Sequence, residues 1–164
     1  MLASRPSIIA VTATLIAATF IDWFLLRSPH ATAEAALAAF YAGEPGFECM
    51  QAEPLRRDGS KVVPLVIRDL PNKKMQRRRY AILFLGEGRY REALPVLEHI
   101  LLDTTEIYYF RADALMSIFE IAPTHAQELA SRIVPPSEDE HQFFERTIQA
   151  VTRGDLRVNH ECSW

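Results

Sequence analysis

Leu85 to Ala122 reads LGEGRYREALPVLEHILLDTTEIYYFRADALMSIFEIA, and the spacing of its apolar residues draws two helices. In YREALPVLEHILL, Leu94, Leu97, Ile100 and Leu101 keep the i, i+3, i+4 spacing of one buried helix face. Asp103, Thr104 and Thr105 break the run. Thr105 is placed to cap the next helix, EIYYFRADALMSIFEIA, where Tyr108, Ala112, Leu115, Ile118, Phe119 and Ala122 again share a face and Pro123 ends it. A break this short makes the two helices neighbours, so the stretch predicts a helix hairpin.

Working outward, the same grammar recurs. Upstream, Ser60 precedes VVPLVIRDL, whose Val62, Val63, Leu65, Val66 and Leu70 form one face before Pro71 and Asn72 stop it. KMQRRRYAILFLGE follows with Met75, Tyr80, Leu83 and Phe84, and its end at Gly86 and Gly88 suits the left-handed residue that closes many helices. Downstream, Thr124 with Gln127 and Ser137 with Glu140 have the three-residue spacing of a reciprocal cap. These open HAQELASRIV and EDEHQFFERTIQAVT, which are separated by Pro135 and Pro136 and closed by Gly154. Ahead of all this, Thr32 caps AEAALAAFYA, and GEPGFECMQAEPLRRDG, with three Gly and two Pro, reads as loop. Strand-type alternation bounded by hairpin turns does not occur. The prediction is an all-α chain of about three antiparallel helix pairs with short connections.

The pairs repeat. Val63, Pro64, Leu65 and Val66 correspond to Leu94, Pro95, Val96 and Leu97, and Arg79 and Leu83 to Arg111 and Leu115; Ala93, Val96 and Ile100 correspond more loosely to Ala126, Leu129 and Ile133. A drifting period in the thirties with two helices per unit predicts a short α-solenoid. Leu85 to Ala122, with VVPLVIRDLPNKKMQRRRYAILFLGE before it, resembles the HEAT repeats of the short bacterial kind. The shared marks are the Pro near the start of each first helix, the polar turn at Asp69 or Asp103, and an Arg, Arg79 or Arg111, opening the apolar part of each second helix. The resemblance implies that this Arg serves the repeat's own structure. A tetratricopeptide-like alternative rests on Gly88, Tyr90, Ala93 and Leu94, but a period of 34 puts Gln127 where the small Ala93 should recur.

Pro6 to Leu26, PSIIAVTATLIAATFIDWFLL, is 21 residues with Asp22 as its single charge. That length crosses a bilayer core of roughly 30 Å as a helix. Arg5 and the amino terminus before it, and Glu34, Glu44, Glu48 and Glu53 after it, place the start inside and the rest outside the cytoplasm, on the periplasmic side. Either the segment stays as an anchor, as Trp23 at its interface favours, or a signal peptidase cuts after Ala33 in the small-x-small Ala31, Thr32, Ala33 and the remainder is secreted to the periplasm. The resulting divisions are 1–33 for anchor or signal, 34–59 for a short helix and loop, 60–154 for the repeats and 155–164 for a tail. Outside the cytoplasm, Cys49 and Cys162 would be able to pair, closing a loop of on the order of 100 residues worth about 4 to 5 kcal/mol. Two unrelated buried thiols are the alternative.

Length and composition exclude several classes. The chain has 164 residues, 49% apolar and 24% charged, with 6 Gly, which is neither collagen-like nor low-complexity. Its net charge of −3 gives no reason to expect nucleic acid. There is no HExxH, CxxC, GxSxG, P-loop or GxGxxG, and His30, His99, His125, His141 and His160 have no metal-ligand spacing, so no catalytic, cofactor or metal residue is expected. His160, Glu161 and Cys162 are adjacent and seldom point at one atom. Glu98, His99 and Asp103 are the nearest approach to a scattered catalytic set.

Charge is nonetheless segregated. Residues 54–92 hold eleven Lys/Arg against four acids, and residues 93–164 hold five against twelve. Lys73, Lys74, Arg77, Arg78 and Arg79 fall within seven residues. Of these, Lys73, Lys74, Arg77 and Arg78 are the candidate docking patch for a protein with an acidic surface or for anionic lipid headgroups close to the anchor, the alternative being a solvated helix start. The expected function is a non-catalytic, membrane-anchored or exported helical-repeat adaptor or scaffold of the cell envelope. The alternatives are a subunit or accessory factor of an envelope enzyme complex, or an enzyme whose site the sequence does not display.

Overall fold

The computed structural model of the chain describes residues 32–43, 50–134 and 142–157. The described residues are all-α, with eight α-helices and no strand among them: α1 (Ala33–Ala42), α2 (Glu53–Asp58), α3 (Val63–Asp69), α4 (Arg78–Glu87), α5 (Leu94–Leu102), α6 (Tyr108–Ile121), α7 (Pro123–Arg132) and α8 (Gln142–Arg153). The 6–26 segment, Cys49, Cys162 and the Ser137/Glu140 cap lie outside the described residues. Among those described, no helix is long and apolar enough to cross a membrane.

Several boundaries follow the local chemistry read above. The Thr32 hydroxyl accepts from the Ala35 amide at 3.1 Å and opens α1, which buries Ala36, Leu37 and Phe40. Pro64 and Pro95 sit in the first turns of α3 and α5, where a missing N–H is not needed. Gly154, with φ +73, ends α8.

Other boundaries differ, each for an identifiable reason. Residues 53–58, expected as loop, form α2: Pro54 occupies its first turn, Leu55 is fully buried, and Gly59 at φ +53 stops it. Helix α4 starts at Arg78, not near Lys74. The Asn72 carboxamide accepts from the Lys74 amide at 3.0 Å, Met75 N–H donates to the Asn72 carbonyl at 2.8 Å, and Arg77 adopts φ +58. A buried Met75 anchors this turn.

Thr105 does not cap α6. Its amide and hydroxyl both donate to Asp103 Oδ1, at 2.8 and 2.7 Å, so the chain turns once more before the helix begins at Tyr108. The Thr124/Gln127 cap does not form either, because Pro123 starts α7 directly after Ala122 and puts Thr124 within the first turn. Neither Gly86 nor Gly88 is left-handed. That conformation falls on Arg89 at φ +53, where Arg89 N–H bonds the Gly86 carbonyl and Tyr90 N–H the Leu85 carbonyl in a Schellman-type close.

Packing centres on α6, which contacts α4, α5, α7 and α8, while α7 packs on α8 and α1 on both α2 and α3. The apolar faces predicted for α5 and α6 are the ones buried, with Leu97, Ile100, Leu101, Leu115 and Ile118 at 1% exposure or less. Gly86 lies inside α4 because α6 passes too close for a side chain. A Cβ there would stand 2.7 Å from Ser117 Cα, and the Ser117 hydroxyl donates to the Ile82 carbonyl at 3.0 Å.

Candidate functional site

The basic run 73–79 meets the following helices residue by residue. Arg78, only 4% exposed, donates through Nε to the Leu70 carbonyl at the end of α3 (2.9 Å) and through its terminal nitrogen to Glu106 Oε2 (2.5 Å), with its guanidinium over the Phe110 ring. Arg111 repeats the first of these contacts one pair later, donating through Nε to the Leu101 carbonyl at the end of α5 at 2.8 Å. The sequence comparison aligned Arg79 with Arg111, but the residue structurally equivalent to Arg111 is Arg78. Arg79 instead reaches sideways: its Nε is 3.3 Å from Oδ2 of the fully buried Asp113, and its guanidinium lies over Tyr109.

Lys73 Nζ is 2.7 Å from Asp103 Oδ2 and donates to the Thr105 hydroxyl at 2.8 Å. Lys73, Arg78 and Arg79 are therefore paired with Asp103, Glu106 and Asp113. Three of the eleven basic residues of 54–92 are thus matched by three of the twelve acids of 93–164 where α4 meets α6 and the turn before it. The hydrogen bond from Lys73, and then those from Thr105, hold the Asp103 carboxyl well below the usual carboxylate range. Burial pulls the Arg111 guanidinium down from its ordinary value.

Of the four residues predicted as a docking patch, then, Arg78 is interior, Lys73 is ion-paired, and Arg77 donates to the Gly43 carbonyl, which ties the turn to the end of α1. Lys74 is different. It is exposed, and its ammonium has no hydrogen-bond partner among the described residues.

Lys74 lines an open groove of about 550 Å³, together with Tyr41, Arg68, Asp69, Asn72, Met75 and Gln76. Helix α1 contributes Tyr41, the end of α3 contributes Arg68 and Asp69, and the turn into α4 contributes the rest. Asp69 is already occupied: Tyr41 donates its hydroxyl to Oδ2 at 2.9 Å, and Arg68 bonds both oxygens, at 2.8 and 3.3 Å. Arg68 holds the Asp69 carboxyl below its ordinary value, against some desolvation, and Tyr41 acts in the same direction. Burial, reinforced by Asp69, pushes the Tyr41 hydroxyl up to about 12. The groove's free polar groups are consequently cationic or amide, not acidic.

Tyr41, Arg68 and Gln76 were not singled out by the sequence, and Asp69 and Asn72 were read only as a turn and a helix stop. Asn72 carried a readable signal, an Asn after Pro and two residues before Lys74, as an Asx turn requires. Tyr41 carried none, since it meets Asp69 across 28 residues through the packing of α1 on α3. The scattered Glu98, His99 and Asp103 do not converge: Glu98 is 2.9 Å from His125 Nε2, and Asp103 faces Lys73. Among the described residues, no three His, Cys, Asp or Glu side chains group as metal ligands. No family model, curated protein or solved structure matches the chain.

Proposed function

We propose that the protein is a non-catalytic adaptor: a short HEAT-like α-solenoid, held at or exported across the membrane through residues 6–26, that binds another protein bearing an acidic surface. The observation that carries this reading is the recurring arginine contact. Arg78 and Arg111 each donate to a carbonyl at the C-terminal end of the preceding helix, Leu70 just after α3 and Leu101 in the last turn of α5, at 2.9 and 2.8 Å. The direct packing of α4 on α6 and of α6 on α8, second helix upon second helix, supports the same reading, because stacked repeats bury their faces against neighbours in sequence order. Solenoid surfaces work by presenting long arrays of side chains to partners.

Two experiments test it. Protease protection on fractionated cells expressing the full chain should leave the helical part accessible only from the periplasmic side, and digestion solely from the cytoplasmic side contradicts the placement. Mass spectrometry of the nonreduced protein should find Cys49 joined to Cys162; two free thiols in freshly isolated protein contradict both the bridge and an oxidising compartment.

A further inference from the structure

We propose that the groove between α1, the end of α3 and the 71–77 turn is the docking site for an extended, acidic peptide segment of the partner protein. The inference rests on the adaptor reading and names the surface and the chemistry of what it takes. Three observations carry it.

The first is charge. Of the groove's three ionised side chains, Asp69 has both oxygens engaged by Tyr41 and Arg68, whereas Lys74 has no partner among the described residues. Arg68 is largely exposed and keeps further N–H donors beyond the two it gives Asp69. Within the lining an incoming carboxylate meets the unpartnered Lys74 and the outer donors of Arg68, while the one acid there, Asp69, is already engaged; the exposed Glu34 on α1 acts on Arg68 from outside the lining.

The second is hydrogen-bonding capacity. Asn72 spends its oxygen on the Lys74 amide, which leaves its NH2 to donate, and Gln76 makes no hydrogen bond among the described residues. Side-chain amides that both donate and accept match the backbone of an extended peptide, and a nearly buried Met75 gives the groove an adaptable apolar floor.

The third is rigidity. The turn that presents Asn72, Lys74 and Gln76 is not helical, yet it is fastened by Lys73 to Asp103 and Thr105, by Met75 in the core and by Arg77 to Gly43. The backbone that carries them is held in place before a ligand arrives, which lowers the ordering cost of binding.

The test is site-specific photo-crosslinking in cells expressing the full chain, with a benzophenone amino acid at Gln76, in the groove, or at the exposed Val134, which does not line it. The expected result is a protein adduct from position 76 that maps by mass spectrometry to a segment rich in Asp and Glu. Its yield should fall about tenfold when Lys74→Glu is added, as the reversal of a contacting charge predicts. Lys74 is exposed and lies outside the helices, so that variant keeps its helical content; Lys74→Gln, which removes the charge without reversing it, is the second check and should also lower the yield. Lipid adducts, adducts to segments without acids, or a yield indifferent to Lys74→Glu each overturn the groove. Protein adducts from position 134 but not from 76 overturn the groove and leave the adaptor reading standing, and protein adducts from neither overturn both.

Discussion

The two junctions that flank α6 use the same residue in the same place and surround it differently. Between α4 and α6, Arg78 holds the Leu70 carbonyl while Glu106 neutralises it, and Lys73 to Asp103 and Arg79 to Asp113 extend the charge pairing on either side. Between α6 and α8, Arg111 holds the Leu101 carbonyl with aromatic faces around it, the Phe144 ring at 4.8 Å and the Tyr108 ring at 5.6 Å. One contact recurs, an arginine of α4 or α6 to a carbonyl at the C-terminal end of the helix before it. Both arginines lie over aromatic rings, but only Arg78 also has a carboxylate partner, Glu106.

That contrast can be broken experimentally, beginning with its largest effect. Arg78→Met strands a buried Glu106 carboxylate and a helix-end carbonyl, and should cost about 3 to 5 kcal/mol in denaturant unfolding. A cost near that of an exposed substitution would show that the first junction is not electrostatic. Arg111→Met leaves no charge stranded, only the Leu101 carbonyl without its donor and two rings without their cation, and should cost about 1 to 3 kcal/mol. Gly86→Ala pushes a methyl into Ser117 and separates α4 from α6, at about 1 to 3 kcal/mol, through a lowered thermal midpoint.

Acid should act on the first junction more than on the second. Asp103 has its folded-state pKa depressed by Lys73 and Thr105, so the stability it contributes is complete above the ordinary carboxylate value near about 4 and is lost as pH falls toward the lowered one. The midpoint of the parent protein should therefore drop on acidification more than that of Asp103→Asn. Equal acid sensitivity of the two would remove Asp103 from the account.

Much of this was legible from periodicity alone, and what was not has a consistent cause. The apolar faces of α5 and α6 follow from Leu94, Leu97, Ile100, Tyr108, Ala112 and Leu115, because burial acts on every turn of a helix and leaves a repeated mark. Helix starts were misread wherever a polar side chain had two possible employers. Thr105 is a good cap by type, but its hydroxyl serves Asp103 and Lys73 instead, and that choice is made by a residue 32 positions away. The run Arg77, Arg78, Arg79 looks like one surface feature, yet its three side chains go to a helix-end carbonyl of α1, to the interior and to a neighbouring helix. Adjacent residues on a turn of helix point about 100° apart, and only the packing partner tells which one faces in. The groove was hidden for the same reason: its residues come from three elements whose angles no local pattern encodes.

The most direct test of the central claim is a double-mutant cycle at the two junctions, by denaturant unfolding of the parent, Arg78→Met, Glu106→Gln and the double variant, beside the same cycle for Arg111→Met and Phe144→Leu. A predominantly electrostatic first junction predicts a coupling between positions 78 and 106 of about 2 kcal/mol or more that shrinks in high salt, and a smaller, salt-indifferent coupling between 111 and 144. Couplings of equal size and equal salt dependence at the two junctions would contradict it.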